Sequence, residues 1–335
     1  MKWLFTSWFL FCSLLVSSLQ AQEGIFAEFQ TDKGKLVYEL DYVHRPLTVC
    51  YFAALAKGLI KTPMNPKGEP LYNKTIFYRN YKDEYLMGGD PNGDGTGNPN
   101  LFIHEEIDTF LTHEPHRICL SNQMLNTTGH IFYLTKKPCH RLDEKFTVFG
   151  KLVEGLEILY QLKVGDTIQS VKIIQKGKAA KAFKINEENV KELLAARVKN
   201  WFDSRNRDIA FFHEWVLKQY PNAKKTISGL MYLPLEEGSG DNIKEGDVVT
   251  FSYIAKFMDG TVFDQMIGDN KSSTTTIGKS TVVRGWEEGL KLMKPGAKYL
   301  LFIPYTLGYG ETSFKDVIPP KCNLIIETNL ISVKK

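Results

Sequence analysis

Alternating positions dominate the C-terminal third of the chain. Val248, Thr250, Ser252 and Ile254 alternate with Val249, Phe251, Tyr253 and Ala255. That period of two, in β-branched and aromatic residues, predicts a strand. Asp259-Gly260 is a hairpin signal because glycine tolerates positive φ, and Val262-Phe263 resumes the strand. Trp286, Leu290 and Met293 share one face of a short helix that Pro295-Gly296 stops. Residues 229–237, 299–304 and 323–333 are further apolar strands. Strands crossed by one short helix predict a small α+β domain over residues 227–335.

The pattern upstream differs. Residues 25–30 and 36–40 read as strands joined by Asp32-Lys33-Gly34. Residues 46–58 read as a helix, with Val49, Phe52, Ala53 and Ala56 on one face and Gly58 ending it. Strands follow at 75–79, 118–122, 129–134 and 146–151, and a helix at 153–162. These fill a domain over residues 22–178. Residues 179–226 form a helical linker. In it Val190, Leu193, Leu194, Arg197, Val198, Trp201 and Phe202 recur at threes and fours. Ile209, Phe212, Trp215 and Val216 extend or restart that helix until Pro221. Three readings of the stripe stay open: docking on its own domains, a homodimer contact through the linker helix, or a groove for unfolded chains.

The first 21 residues predict an export signal. Lys2 supplies a positive start, an apolar run follows, and Ala21 ends a plausible cleavage site. Export places the chain in a bacterial periplasm, with a retained anchor or secretion as alternatives. The net charge of +4 is interspersed rather than blocked, so nucleic-acid binding gains no support. Five cysteines form no CxxC pair, so neither zinc nor a thioredoxin motif is indicated. Asp90-x-Asn92-x-Asp94-Gly95 imitates the start of a calcium loop. Leu101 stands where its bidentate acid belongs, so no metal site is expected. His104, His113, His116, His130 and His140 are scattered and read as surface or hydrogen-bonded side chains.

In the C-terminal third, four phrases fall in one order: Asp259-Gly260-Thr-Val-Phe263-Asp264, Val282-Val283-Arg284-Gly285-Trp286-Glu-Glu-Gly289, Leu307-Gly308-Tyr309-Gly310 and Ile318-Pro319-Pro320. The ordered set resembles the FKBP family of peptidyl-prolyl isomerases over about ninety residues. The resemblance implies an antiparallel sheet wrapped on one short helix. It implies a proline pocket walled by Tyr253, Phe263, Val282, Val283, Trp286 and Ile326. Tyr309 and the backbone N–H of Ile318 would hold substrate carbonyls, with Asp264 beside the twisting carbonyl. Two positions depart from the pattern: Ile326 replaces an aromatic, and Ser273 stands where Phe is usual. It also implies macrolide ligands.

Residues 22–178 carry Phe77-Tyr78-Arg79, Gly88-Gly89-Asp90-Pro91, Ser121-Asn122 and Val148-Phe149-Gly150-Lys151 ahead of Glu154-Gly155. These phrases resemble the cyclophilin family, a second class of prolyl isomerases, built as a closed β-barrel with two helices and known for cyclic-peptide ligands. The resemblance implies that Arg79 donates to the prolyl nitrogen. Tyr133, Leu142 and Phe146 would form the proline pocket, and Asn122 would bind substrate. Glu84, Tyr85 and Met87 stand where Phe, Met and Gln are usual, Ile131 where a second Gln is usual, and Arg141 where Trp is common. The two glutamines normally support the arginine, so this site is expected to be degenerate.

The two resemblances together imply a cofactor-free prolyl isomerase acting on Pro-containing or unfolded segments of exported proteins, with the activity mainly in the FKBP-like domain. The rival expectation is a chaperone that holds such segments without turnover.

Overall fold

The structure is a computed structural model that describes residues 23–335 apart from Met64, 98–100, 108–109, 123–125, 269–270, Ser280 and Asp316. The expected export signal and Cys12 lie outside the described residues. Contacts divide the chain into two compact units, meeting between Asn200 and Trp201.

The first unit contains β1 (Gly24–Thr31), β2 (Gly34–Leu40), α1 (Pro46–Ala56), β3 (Thr75–Ile76), β4 (Arg79–Tyr81), β5 (Tyr85–Gly88), β6 (Arg117–Asn122), β7 (Thr128–Thr135), β8 (Thr147–Glu154), α2 (Leu156–Gln161), β9 (Thr167–Lys176) and α3 (Lys178–Ala182). One antiparallel sheet runs β3-β9-β1-β2-β8-β6-β7-β5-β4. Its two edge strands, β3 and β4, are separated in the chain only by Phe77 and Tyr78. The sheet therefore curls until its edges approach, and no ladder joins them among the described residues. The expected strand 75–79 is split by this crossing, which buries Phe77 fully. Helix α1 is buried along its whole length from Leu47 to Ala56, not on one face only. A helix apolar all round is a core helix. Its first N–H groups, at Leu47 and Thr48, donate to the carboxylate of Glu106 at 3.2 and 2.7 Å, a distant substitute for an N-cap side chain. The expected helix 153–162 starts later, because β8 runs to Glu154 and Gly155 turns the chain at φ +93°.

Helix α4 (Glu187–Gln219) is one continuous element, so the linker pattern extends rather than restarts. Its early residues belong to the first unit. Val190 is buried there with Leu193 and Leu194 beside it, and the Arg197 Nε and Nη2 atoms donate to the Glu105 carbonyl at 3.1 and 2.7 Å.

The second unit adds β10 (Lys224–Lys225), β11 (Met231–Glu236), β12 (Val248–Lys256), β13 (Val262–Met266), β14 (Ser273–Thr276), α5 (Arg284–Lys291), β15 (Lys298–Ile303) and β16 (Leu324–Lys334). The sheet order is β10-β11-β15-β16-β12-β13, with β14 pairing the start of β12. Both faces are covered. Tyr299, Leu301 and Ile303 of β15 pack with Trp286 and Leu290 of α5. Leu300 and Phe302 pack with Phe212 and Val216 of α4. That double burial explains the unbroken apolar run of β15, where alternation is absent. Helix α5 sits close because two of its glycines face the sheet. A Cβ at Gly289 would lie 2.4 Å from Leu301 Cδ1, and one at Gly285 would lie 2.6 Å from Ile303 Cγ2.

Candidate functional site

In the second unit the antiparallel register of β12 and β13 sets Ala255 opposite Asp264. From there the Tyr253 hydroxyl donates to Asp264 Oδ2 at 2.8 Å. The Tyr253 ring meets Trp286 edge-on, with centroids 4.7 Å apart. Trp286 is buried, and its indole Nε1 donates to Thr328 Oγ1 at 3.0 Å. With its one N–H satisfied and Phe251 packed on another side at 5.3 Å, the indole is held in place as an apolar floor. Tyr253, Phe263, Val282, Val283, Trp286, Tyr309, Ile318 and Ile326 all belong to one apolar cluster. Asp264 lies at its rim and is exposed. Ser273 pairs opposite Phe251 on β14 and brings no aromatic ring to that side.

Two further features shape the rim. Tyr309 stacks on Phe314 at 4.3 Å. The Ile318 N–H donates to the Phe314 carbonyl at 3.1 Å, and the Phe314 N–H donates back to Ile318 at 2.9 Å. A substrate carbonyl taking the Ile318 N–H would have to displace an internal bond. Burial pushes the Tyr253 phenol up to about 12, and its bond to Asp264 adds to that. Tyr309 is raised by burial and then by the Asp264 charge. Both hydroxyls therefore stay protonated at neutral pH and able to donate.

In the first unit Tyr133, Leu142 and Phe146 do come together, with Cys119, Val148, Tyr85, Met87 and Leu111. The polar groups there point inward. Tyr133 is 2 % exposed, and its hydroxyl lies 2.8 Å from His113 Nε2. His113 is wholly buried, and its Nδ1 lies 2.6 Å from Asp143 Oδ1. Burial lowers His113 against the opposing pull of Asp143. Asn122 gives its side-chain N–H groups to Glu105 Oε1 at 2.7 Å and to the Lys145 carbonyl at 3.0 Å. Arg79 is exposed and lies 5.9 Å from the Tyr81 ring. Arg141 forms an ion pair with Glu84 and also faces Tyr81. The Asp90 carboxylate is raised by burial, but N–H bonds from Gly95, Asn92 and Asp94 outweigh this and leave it low. His130 Nε2 stands 3.4 Å from it.

The sequence pattern missed the roles of His113, Asp143, Glu105 and Thr328. Their partners lie 17 to 42 positions away, and no local spacing announces such pairs. The four cysteines in the described residues, Cys50, Cys119, Cys139 and Cys322, are free thiols.

Comparison with known proteins matches the two units to two families. Residues 26–187 match the model of cyclophilin type peptidyl-prolyl cis-trans isomerase/CLD. Residues 240–331 match that of FKBP-type peptidyl-prolyl cis-trans isomerase. Over 107 residues the chain is 37% identical to a FK506-binding protein of Neisseria meningitidis, covering 32% of this chain and 98% of that protein. It is 39% identical over 118 residues to the peptidyl-prolyl cis-trans isomerase Mip of Coxiella burnetii, covering 35% of this chain and 50% of Mip. It is 38% identical over 118 residues to the outer membrane protein MIP of Legionella longbeachae, again covering 35% of this chain and 50% of the relative. The chain thus spans about half the length of most of these relatives, and nearly all of the Neisseria protein. Through its second unit this chain belongs to the FKBP-type peptidyl-prolyl cis-trans isomerase family, and a cyclophilin-type domain precedes that unit.

Proposed function

We propose that the chain is a prolyl isomerase of exported proteins, with turnover in the second unit. The first unit, read as a cyclophilin-like barrel, holds client segments with little turnover of its own. The observation that carries this reading is the Tyr253–Asp264–Trp286 arrangement on one apolar cluster. An X–Pro bond resists rotation by ~18–20 kcal/mol because the amide is conjugated. Twisting removes conjugation and leaves a less polar carbonyl and a pyramidal nitrogen. A dry aromatic floor favours that form over the planar amide. Trp286, Val282, Val283, Phe263 and Ile326 would hold the ring. Tyr309 would hold a flanking carbonyl, and Asp264 would stand beside the carbonyl that turns. No bond is made or broken, so the chemistry calls for no cofactor. Uncatalysed steps of this kind take tens to hundreds of seconds, which gives a catalyst in an export compartment its task. The expected export signal and the outer-membrane name of one relative support an envelope location.

The first unit supports holding rather than turnover. Asn122 has both side-chain hydrogens committed, and the Tyr133 hydroxyl is tied into the core. Met87 and Ile131 offer no side-chain oxygen to accept from Arg79. The test is isomerisation of a Phe-Pro peptide by the full chain beside two variants. Asp264→Ala/Tyr309→Phe is expected to lower turnover at least about tenfold, and Arg79→Ala to leave it unchanged. Loss in Arg79→Ala would move catalysis into the first unit. No rate in the unmutated chain would favour the chaperone reading.

A further inference from the structure

The first unit carries a second cleft, away from the Tyr133 cluster except for one shared residue, Leu111. It encloses about 410 Å³ and is lined by Glu39, Leu40, Tyr42, Val43, Arg117 and Lys151 among others. That volume lies within the range of small-ligand and short-peptide sites. Three neighbouring strands set its charges in one row. Glu39 of β2 pairs in register with Lys151 of β8, and Lys151 with Arg117 of β6. Lys151 Nζ reaches Glu39 Oε2 at 3.1 Å. Asp41, also in the lining, is engaged by His44 Nδ1 at 2.9 Å. Glu23 is exposed and solvated. Among the described residues no carboxylate stands within ion-pair distance of Arg117. Its Nε is buried and has no hydrogen-bond partner among the described residues. That nitrogen is shielded from the cleft as it is from water, but the residue as a whole is partly exposed, and the outer N–H groups of a guanidinium are the ones that fork onto a carboxylate. Beside Arg117, Val43 is 67% exposed, an apolar surface with nothing on it.

We propose that this cleft binds a carboxylate carried on an apolar polypeptide segment. Arg117 takes the carboxylate, and Val43, Tyr42 and Leu111 take the flanking side chains. The carboxylate is either a chain end or an acidic side chain. The site shares only Leu111 with the Tyr133 cluster and no residue with the Trp286 cluster, and would give the first unit a grip that does not depend on proline. Only the supposition that client chains supply the segment rests on the function proposed above.

The test uses the full chain and peptides without proline, so that isomerase turnover is never read. Fluorescence anisotropy compares labelled Ala-Val-Leu-Leu with a free C-terminus, its C-terminal amide, and a doubly capped Ala-Leu-Glu-Leu. At least one carboxylate peptide is expected to bind about tenfold or more tighter than the amide. Binding only by the free terminus identifies chain ends, and binding only by the capped glutamate peptide identifies side chains. Arg117→Gln is expected to bring the carboxylate peptides down to the level of the amide. Val43→Asp, at an exposed position that tolerates change, is expected to weaken them similarly and decides the matter should Arg117→Gln fail to fold. Equal binding of acid and amide, no binding of any peptide, or full binding in a folded Arg117→Gln and in Val43→Asp would overturn the proposal. Asp264→Ala/Tyr309→Phe is expected to bind as the unmutated chain does even if it loses turnover, so the two readings can fail separately.

Discussion

Tyr253 in the second unit and Tyr133 in the first each sit in an aromatic cluster and each bring their hydroxyl to a polar side chain, Tyr133 with a further bond to the Cys119 thiol. The partners differ. Asp264 is exposed at a rim, whereas His113 is wholly buried and held in turn by Asp143. In one case the polar group opens to solvent at the rim of the cluster. In the other it faces the core. The aromatic composition of the two clusters is similar; where the second atom of the hydrogen bond lies separates the surface proposed for turnover from an internal brace. The same contrast holds for Asn122, which spends its donors on Glu105 and Lys145, and Trp286, which spends its one donor and keeps its ring for the pocket.

Replacing Trp286 with Ala gives the largest expected change. It removes a buried indole and the floor of the pocket together, costing about 3–5 kcal/mol of second-unit stability and essentially all turnover. Urea unfolding and the Phe-Pro assay read the two losses, and a stable, active variant would break the comparison. His113→Leu comes next. It takes the His113 partner from the buried Tyr133 hydroxyl and one partner from the partly exposed Asp143, which keeps His140, at about 1–3 kcal/mol, seen as earlier unfolding of the first unit with turnover intact. The paired tyrosine variants are finer. Tyr133→Phe is expected to cost about 1 kcal/mol of stability and no activity, whereas Tyr253→Phe lowers turnover a few-fold with stability within about 0.5 kcal/mol. A reversed pattern would exchange the roles assigned to the two units.

The smallest effect is one of pH. Burial holds His113 and His130 below the ordinary value of 6.5, so the first unit favours their neutral forms. An unfolded chain takes up those protons as the pH falls through 6.5, and the folded unit resists. Their stabilisation is therefore complete above 6.5 and is lost as the pH falls through the lowered folded values. Asp143 and Asp90, both held below 3.8, add a further loss at lower pH. The second unit has the half-buried His213 lowered in the same way. Amide hydrogen exchange between pH 7 and 5 is expected to loosen the first unit sooner, and equal loosening of both would remove this distinction.

Strand periodicity and turn residues made much of the sheet framework legible. The alternation in β12 and the hairpin of β1 and β2 stand where the pattern put them, within a residue or two. The pattern failed where one element meets two environments. Helix α1 shows one apolar face in sequence yet is buried all round, and the pattern of β9 is diluted by lysines and glutamines. Residues 75–79 read as one strand because the crossing at Phe77 and Tyr78 leaves no mark in their hydrophobicity. For the candidate site, the apolar cluster around Trp286 was legible because its members recur in ordered phrases. The bridge from Asp143 through His113 to Tyr133 was not, because two of its members lie in loops and side-chain bonds between distant segments carry no periodicity.

Helix α5 rests on its sheet through two positions that carry no side chain, and this fixes how freely the segment can vary. In a library of all substitutions across Arg284–Lys291, Gly285 and Gly289 are expected to accept almost nothing, since even a methyl group meets Ile303 or Leu301. Their exposed neighbours Arg284 and Lys291 are expected to accept nearly everything. Trp286 hangs from the same eight residues, so a displacement of a few tenths of an ångström at the seat is passed directly to the pocket floor. Tolerance in this stretch would track distance from the sheet rather than distance from the substrate.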